Sequence, residues 1–398
     1  MLTGSLRHLI RIKKLSNENN FGQDLDFLKK HVEPIVLRNG DDTQLACIPS
    51  MQGRIMTSTA GGECGQSFGY INYDAVASEE VNSVLNLYGG EDRIWVSPEG
   101  GQFSVFFDPG VAMDFANWRT PPCVDTEAFE VIDQGEQSVD FRKVTSLTNW
   151  SNFTYELQID RKVVLLSADE VLKSIGMLSD GVRFVGHESQ NKFTNVGDSA
   201  WTTETGLPAA WAIGLNKPSP DATVIVPFNT GSADELGKIV ESNYFGALDE
   251  SRLKVDASAG VLFFLGDGNL RSKLGLSPQR TPGRIGSWDA QRGILSVVDF
   301  SMPDAPDGYT NNLWEMQDDP FCGDALNAYN DGPNASGESF GGFFELETMG
   351  PALALKPGES GTHVHRTMRF EGEREGLGRL AKHVFGVGLE MIEAQVGV

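Results

Sequence analysis

Short apolar runs, rich in Val, Ile, Phe and Thr and closed off by Gly, Pro, Asn or Asp, recur along this chain and constrain its architecture most. They include 44–51 (QLACIPSM), 102–107 (QFSVFF), 161–167 (RKVVLLS), 222–228 (ATVIVPF), 261–266 (VLFFLG) and 294–300 (ILSVVDF). Branched and aromatic side chains suit a pleated, half-buried surface, and the punctuating residues suit turns. Helical spacing is confined to three stretches. At 21–32, Phe21, Leu25, Leu28 and Val32 share one face. At 232–244, Ser232 and Glu235 form a capping box ahead of Leu236, Ile239 and Val240. The third stretch is 376–385, with Leu377, Leu380, Ala381 and Val384. No βαβ alternation is visible, which argues against a parallel α/β sheet. The pattern predicts an all-β chain, a large antiparallel β-sandwich from about residue 40 to 398 with a few short helices. Residues 1–20 read as an N-terminal arm outside the fold, since Lys13 to Asn20 is almost wholly polar.

The net charge is −23, from 32 basic and 55 acidic residues. An acidic surface argues against nucleic acid and anionic membranes as partners and leaves a neutral ligand, such as a small carbohydrate, open. Cys47, Cys64, Cys123 and Cys322 are scattered with no CxxC, which suggests free or buried thiols. The start MLTGSLRHLIRIKK is basic without a sustained apolar core, and no apolar run is long enough to span a membrane. The expectation is a soluble, cytoplasmic protein; a periplasmic location would require a misplaced start. Nothing in the sequence sets the oligomeric state.

Residues 343–370, FFELETMGPALALKPGESGTHVHRTMRF, carry the most concentrated chemistry. Glu345 and Glu347 sit two apart, as do His363 and His365. Side chains at i and i+2 of a strand share a face, so each pair becomes one polar face, with Pro357-Gly358 as the turn between the strands. Carboxylates facing imidazoles can do acid–base chemistry or hold a metal.

Three other places stand out. In 89–107, Arg93 beside Trp95 is a plausible sugar-binding pair, because an aromatic face covers apolar CH groups and a guanidinium donates to hydroxyls; Arg93 paired with Asp92 or Glu99 in a plain loop is the alternative. In 314–333, Trp314, Asn327, Tyr329 and Asn330 belong to a mixture of hydrogen-bonding and aromatic side chains suited to a carbohydrate cleft. A calcium loop or a solvated, turn-rich loop fits the same stretch. His187, beside Glu188, is either structural or catalytic. His363-x-His365 also reads as a metal half-site, and Gly358, His363, His365, Glu371 and Gly378 loosely resemble the cupin signature. A divalent metal therefore stands beside chemistry that requires no cofactor.

The C-terminal segment resembles the last strands of the aldose 1-epimerase (galactose mutarotase) superfamily. Leu346-Glu347-Thr348, then Leu355, Pro357, Gly358 and Glu359, then His363 or His365 and Phe370 carry the likeness. Thr194-Asn195-Val196-Gly197 and Glu204-Thr205-Gly206-Leu207 add to it. GGEDRIWVSPEGGQF and YNDGP look closer still to a bacterial family of unknown activity within that superfamily. The likeness runs from Phe21 to the C-terminus and implies a single domain, 21–398, with a β-supersandwich fold. It implies a carbohydrate-active, epimerase-like protein with Glu347 as general base. The segment that carries the histidine acid in the epimerases has no counterpart here, so that role falls to His187, His363 or His365. A non-catalytic carbohydrate-binding module and a metal-assisted lyase or hydrolase are the alternatives.

Overall fold

The computed structural model of the protein describes residues 18–395 apart from 79, 306, 335 and 336. Two antiparallel sheets make up most of it. The larger has ten strands, in the order Leu253–Asp256, Val261–Leu265, Ala222–Pro227, Arg284–Asp289, Ile294–Phe300, Ser360–Gly372, Val182–Asn195, Thr154–Leu165, Ser138–Thr148 and Glu130–Gln134. The smaller has five, in the order Ser272–Leu276, Leu326–Asn330, Phe344–Met349, Ala209–Asn216 and Arg93–Ser97. A third, three-stranded sheet, Ile35–Asn39, Thr43–Ile48 and Arg54–Thr59, packs beneath the first helix. The predicted all-β class and sandwich layering hold.

The main core fills the space between the two large sheets. Phe141, Tyr155, Leu157, Ile159 and Val185 of the larger sheet belong to one buried cluster with Ile94, Leu274, Ala328 and Leu346 of the smaller. On its other side the ten-stranded sheet is covered by the helix Arg374–Phe385, which places Leu377, Leu380, Ala381 and Val384 against Trp288, Leu295, Met368 and Phe370. Gly286 makes that docking possible, because a Cβ there would collide with the Phe385 ring. The helix Phe21–His31 starts at an Asn20–Gln23 capping box and buries Phe21, Leu25 and Leu28 on the small sheet. Among the described residues no helix is long and apolar enough to cross a membrane.

Several elements differ from the sequence reading. Residues 18–20 of the predicted arm pack on the fold: Arg292 bonds the Glu18 carboxylate at 2.6 Å and Asn20 caps the first helix. The remainder of that arm, 1–17, lies outside the described residues. The helix expected over 232–244 is only Ala233–Leu236, because Gly237 (φ +72°) turns the chain out. The run 102–107 is not a strand; its backbone bonds loops instead, with the N–H groups of Trp150 and Ser151 donating to the carbonyls of Ser104 and Gln102. Within the polar stretch 314–333, Leu326–Asn330 is an interior strand of the smaller sheet, not a loop. The two C-terminal strands both form, but they are not hairpin partners. Phe344–Met349 belongs to one sheet and Ser360–Gly372 to the other, so the turn at Pro357-Gly358 crosses between layers.

A charged aromatic cleft as the candidate functional site

The five-stranded sheet turns one face to the core and the other to a cavity of about 570 Å³. Strand alternation decides which residues face it. Glu345 and Glu347 lie on the cavity side of Phe344–Met349, and the register places Tyr329 opposite Glu345 and Ile213 opposite Glu347. Ile213 in turn faces Arg93, and Trp211 faces Trp95. Lys273 lies opposite Tyr329 on the edge strand. Loops supply the walls, with Glu99, Phe115, Trp118, Arg271, Trp314 and Phe340 among the lining residues.

The floor is a chain of ion pairs laid on aromatic rings. Lys273 Nζ sits 2.9 Å from Glu347 Oε2, which also accepts from Trp211 Nε1 at 3.0 Å. Arg93 Nη2 donates to Glu345 Oε1 at 3.1 Å, and its guanidinium lies 4.2 Å from the centre of the Trp95 ring. Several buried polar atoms here have no protein partner: Glu347 Oε1, Arg93 Nε and Nη1, and the indole N–H groups of Trp95 and Trp118. Buried polar atoms are normally satisfied, so these are the positions a polar ligand would engage.

Electrostatics separate the carboxyls. Burial pushes Glu345 up to about 7, with Arg93 opposing and Glu347 reinforcing the shift. Burial likewise pushes Glu99 up to about 7, against the pull of Lys273. Burial works against the Lys273 ammonium, but Glu347 and Glu99 outweigh it and raise it above the ordinary lysine value. Glu99 is held by its own backbone, whose N–H donates to Asn312 Oδ1 at 2.7 Å.

Of the residues expected from sequence, Glu347, Arg93, Trp95, Trp314 and Tyr329 line this one cavity. Asn327 is opposite Glu347 in register but spends its amide on the Leu274 carbonyl at 3.2 Å. Asn330 holds a turn instead, accepting from the Gly268 N–H and donating to the Leu270 carbonyl. Glu99, Glu345, Lys273, Trp211, Phe115 and Arg271 were not assigned a ligand role from sequence. Period-two spacing from Trp211 to Ile213 and from Lys273 to Gly275 was the available signal.

The histidines are elsewhere. His363 and His365 lie on the ten-stranded sheet, fully buried between the layers, behind the strand whose front carries Glu347. Thr348, which alternates to the back of that strand, places its Oγ1 2.8 Å from both His363 Nε2 and His365 Nδ1. His365 Nε2 is 3.1 Å from Thr367 Oγ1. These bonds occupy three of the four ring nitrogens, and the described residues contain no group of three or more His, Cys, Asp or Glu able to hold a metal. The set does not fit the metal half-site. His187 is also fully buried, 3.8 Å from Glu91 Oε2, and is absent from the cavity lining. The expected pairing of Glu347 with His187 or His365 is thus replaced by separation across the sheet.

This inner layer fixes the approach to Arg93. Asp92 accepts from Arg161 Nη2 at 2.9 Å, and Glu91 accepts from Arg369 Nε at 3.1 Å, all four side chains being buried. Burial raises the Glu91 carboxyl, but His187 and Arg369 outweigh it and hold it at about 2. Burial holds His363 down at about 3, with His365 adding to the effect, and holds His365 down at about 4. A depressed histidine stabilises the fold above its unfolded value of 6.5 and loses that contribution as pH falls through the folded value. Glu99 and Glu345 act oppositely, their contribution being present below 4.5 and lost as pH rises through about 7. In a Glu99→Gln, Glu345→Gln double variant the urea midpoint should therefore fall more steeply from pH 6.5 to 4.5 than in the unaltered protein. Equal slopes would contradict these assignments.

Residues 19–396 match the family described as a family of unknown function (DUF6786). The chain belongs to that family. Among solved structures, this DUF6786 chain is similar to a putative aldose 1-epimerase from Escherichia coli K12, with TM-score 0.50 and 14% identity over 86% of this chain and 99% of that one. It is also similar to a galactose mutarotase-like protein from Lactobacillus casei ATCC 334, with TM-score 0.46 and 11% identity over 85% of this chain and 100% of that one. The first likeness bears out the galactose mutarotase-like fold expected from sequence. No curated protein matches the DUF6786 sequence.

Proposed function

We propose that this protein binds a carbohydrate in the cleft and interconverts its anomers, with Glu347 as general base and Glu99 as general acid. The observation that carries the reading is Glu347 Oε1, a buried carboxylate oxygen without a protein partner, in a cavity lined by aromatic rings. Rings of this kind cover the CH faces of a sugar, and the unpartnered Arg93 and indole N–H groups suit its hydroxyls.

The reaction needs proton transfers only. Glu347 takes the proton of the anomeric hydroxyl, and the electron pair left on that oxygen forms the aldehyde C=O. The bond from C1 to the ring oxygen breaks, and Glu99 gives its proton to that oxygen. Rotation about C1–C2 and the reverse transfers close the ring as the other anomer and restore both carboxyls. A carboxyl near 7 is matched to donating a proton at neutral pH. The similar Escherichia coli protein, a putative aldose 1-epimerase, accords with this chemistry.

One-dimensional NMR of freshly dissolved aldoses tests the proposal. Acceleration of anomer equilibration is expected for at least one sugar; no acceleration, or cleavage of a glycosidic bond instead, would overturn it. The rate should fall about tenfold per pH unit above roughly pH 7 as Glu99 ionises. In Glu99→Gln that limb should vanish with most of the rate, and an unshifted limb would remove Glu99 from the acid role. Glycan binding without turnover is the second reading. It is favoured by the absence of histidine among the described lining residues, and binding without anomerisation that survives Glu347→Ala would establish it.

A further inference from the structure

We propose that the mouth of this cleft holds a second sugar ring, so that the ligand is a reducing disaccharide or longer reducing oligosaccharide. This rests on the reading of the cleft as a sugar site and goes beyond it. The cavity of about 570 Å³ lies well inside the range of roughly 300–1,000 Å³ that encloses drug-sized ligands, and it is larger than one pyranose requires.

Its chemistry changes from floor to mouth. Glu347, Lys273, Glu345 and Arg93 crowd the floor, where the reacting ring would sit. Toward solvent the wall becomes aromatic. Trp314 lies parallel to Trp118, with ring centres 6.0 Å apart and planes 18° apart. Trp118 lies parallel to Phe115, at 6.1 Å and 11°. Trp118 is 3% exposed with its indole N–H unpartnered, whereas Phe115 is 53% exposed. The stack therefore joins the buried Trp118 to the exposed Phe115.

Phe115 is not alone there. Its ring centre is 6.0 Å from that of Phe340, and the Arg271 guanidinium lies 4.4 Å from the Phe340 ring. Arg271 Nε has no protein partner. An exposed ring backed by stacked aromatics, with a guanidinium N–H beside it, suits a pyranose: the ring covers the CH face and the guanidinium donates to hydroxyls.

Calorimetric titration of galactose and glucose against lactose, maltose and cellobiose tests the inference, with anomer exchange followed by NMR on the same samples. At least one disaccharide is expected to bind about tenfold more tightly than the monosaccharide of its reducing ring. Phe115→Ala should erase most of that ratio, and Phe115→Trp should keep it. Phe115 is exposed, so both variants should fold, which circular dichroism checks. Equal affinity for one and two rings, or a ratio unchanged in Phe115→Ala, would overturn the second-ring site. If monosaccharides are anomerised and disaccharides gain nothing, only this inference fails. If no sugar of either size binds or equilibrates faster, the sugar site itself fails with it.

Discussion

Glu347→Gln is expected to slow anomer exchange by about 10²–10⁴-fold, the usual contribution of a positioned general base. Gln keeps the shape, and its carbonyl can still accept from Trp211 Nε1, now 3.0 Å from Glu347 Oε2. What is lost is the carboxylate that takes the proton. The Lys273 ammonium loses its carboxylate partner but stays over the Trp211 ring, 5.0 Å from its centre. The fold should survive, and sugar affinity measured by calorimetry should change far less than the rate. A variant that is folded and fully active would remove Glu347 from the base role. A variant that loses affinity and rate in parallel would mark it as a binding residue.

Arg161→Met is expected to destabilise the fold by about 3–5 kcal/mol, the range for removing one partner of a buried ion pair. The Arg161 and Asp92 side chains are both 0% exposed. Arg161 also donates to Asn191 Oδ1 at 2.6 Å and to the Gly53 carbonyl at 3.1 Å, so one substitution strands three acceptors. Burial alone would raise the Asp92 carboxyl, and Arg161 is the main group that outweighs it. Adding Asp92→Leu should recover much of the loss, because replacing both members of a buried pair by apolar residues is often neutral. Urea unfolding followed by tryptophan fluorescence gives the comparison. A single variant as stable as the parent, or a double variant worse than the sum of its parts, would contradict this account. Because Asp92 precedes Arg93, the single variant should also weaken ligand binding in whatever fraction remains folded.

About half of the larger sheet was legible in the sequence, where its strands are strongly apolar, whereas Ser138–Thr148 and Val182–Asn195 mix polar residues into long strands and were not read as such. ILSVVDF and VLFFLG fill both faces with branched and aromatic side chains, and burial in 360–372 alternates from Thr362 to Thr367. The smaller sheet was mostly hidden. Leu326–Asn330 reads LNAYN and Ser272–Leu276 reads SKLGL, where polar or small residues occupy strand positions because one face looks into a cavity. At Gly275 the cause is close packing instead, since a Cβ there would collide with the Asp324 carboxylate. A ligand-facing sheet suppresses the hydrophobic alternation by which strands are found. The Glu347 position could be carried from the family resemblance because it sits in a local motif. Its partners could not, because Lys273, Trp211 and Glu99 reach it through strand pairing and loop packing between distant parts of the chain. The histidines misled for a related reason. Strand spacing gives which residues share a face but not which sheet the strand joins.

The cleft is assembled from two kinds of backbone with different freedom to change. Glu347, Lys273, Arg93 and Trp211 sit on paired strands, where each residue is tied to neighbours on either side or, at an edge, on one. Phe115, Phe340, Trp314 and Glu99 come from connecting segments outside those ladders. Insertions and substitutions are tolerated far better in such segments than in a ladder. If the cleft acts as proposed, new sugar preferences can arise by remodelling the connections while the base Glu347 stays on its strand, although the proposed acid Glu99 lies on a connection itself. Members of one family sharing the same strand residues need not share a ligand, whereas differences at the strand positions would signal a change in the chemistry itself.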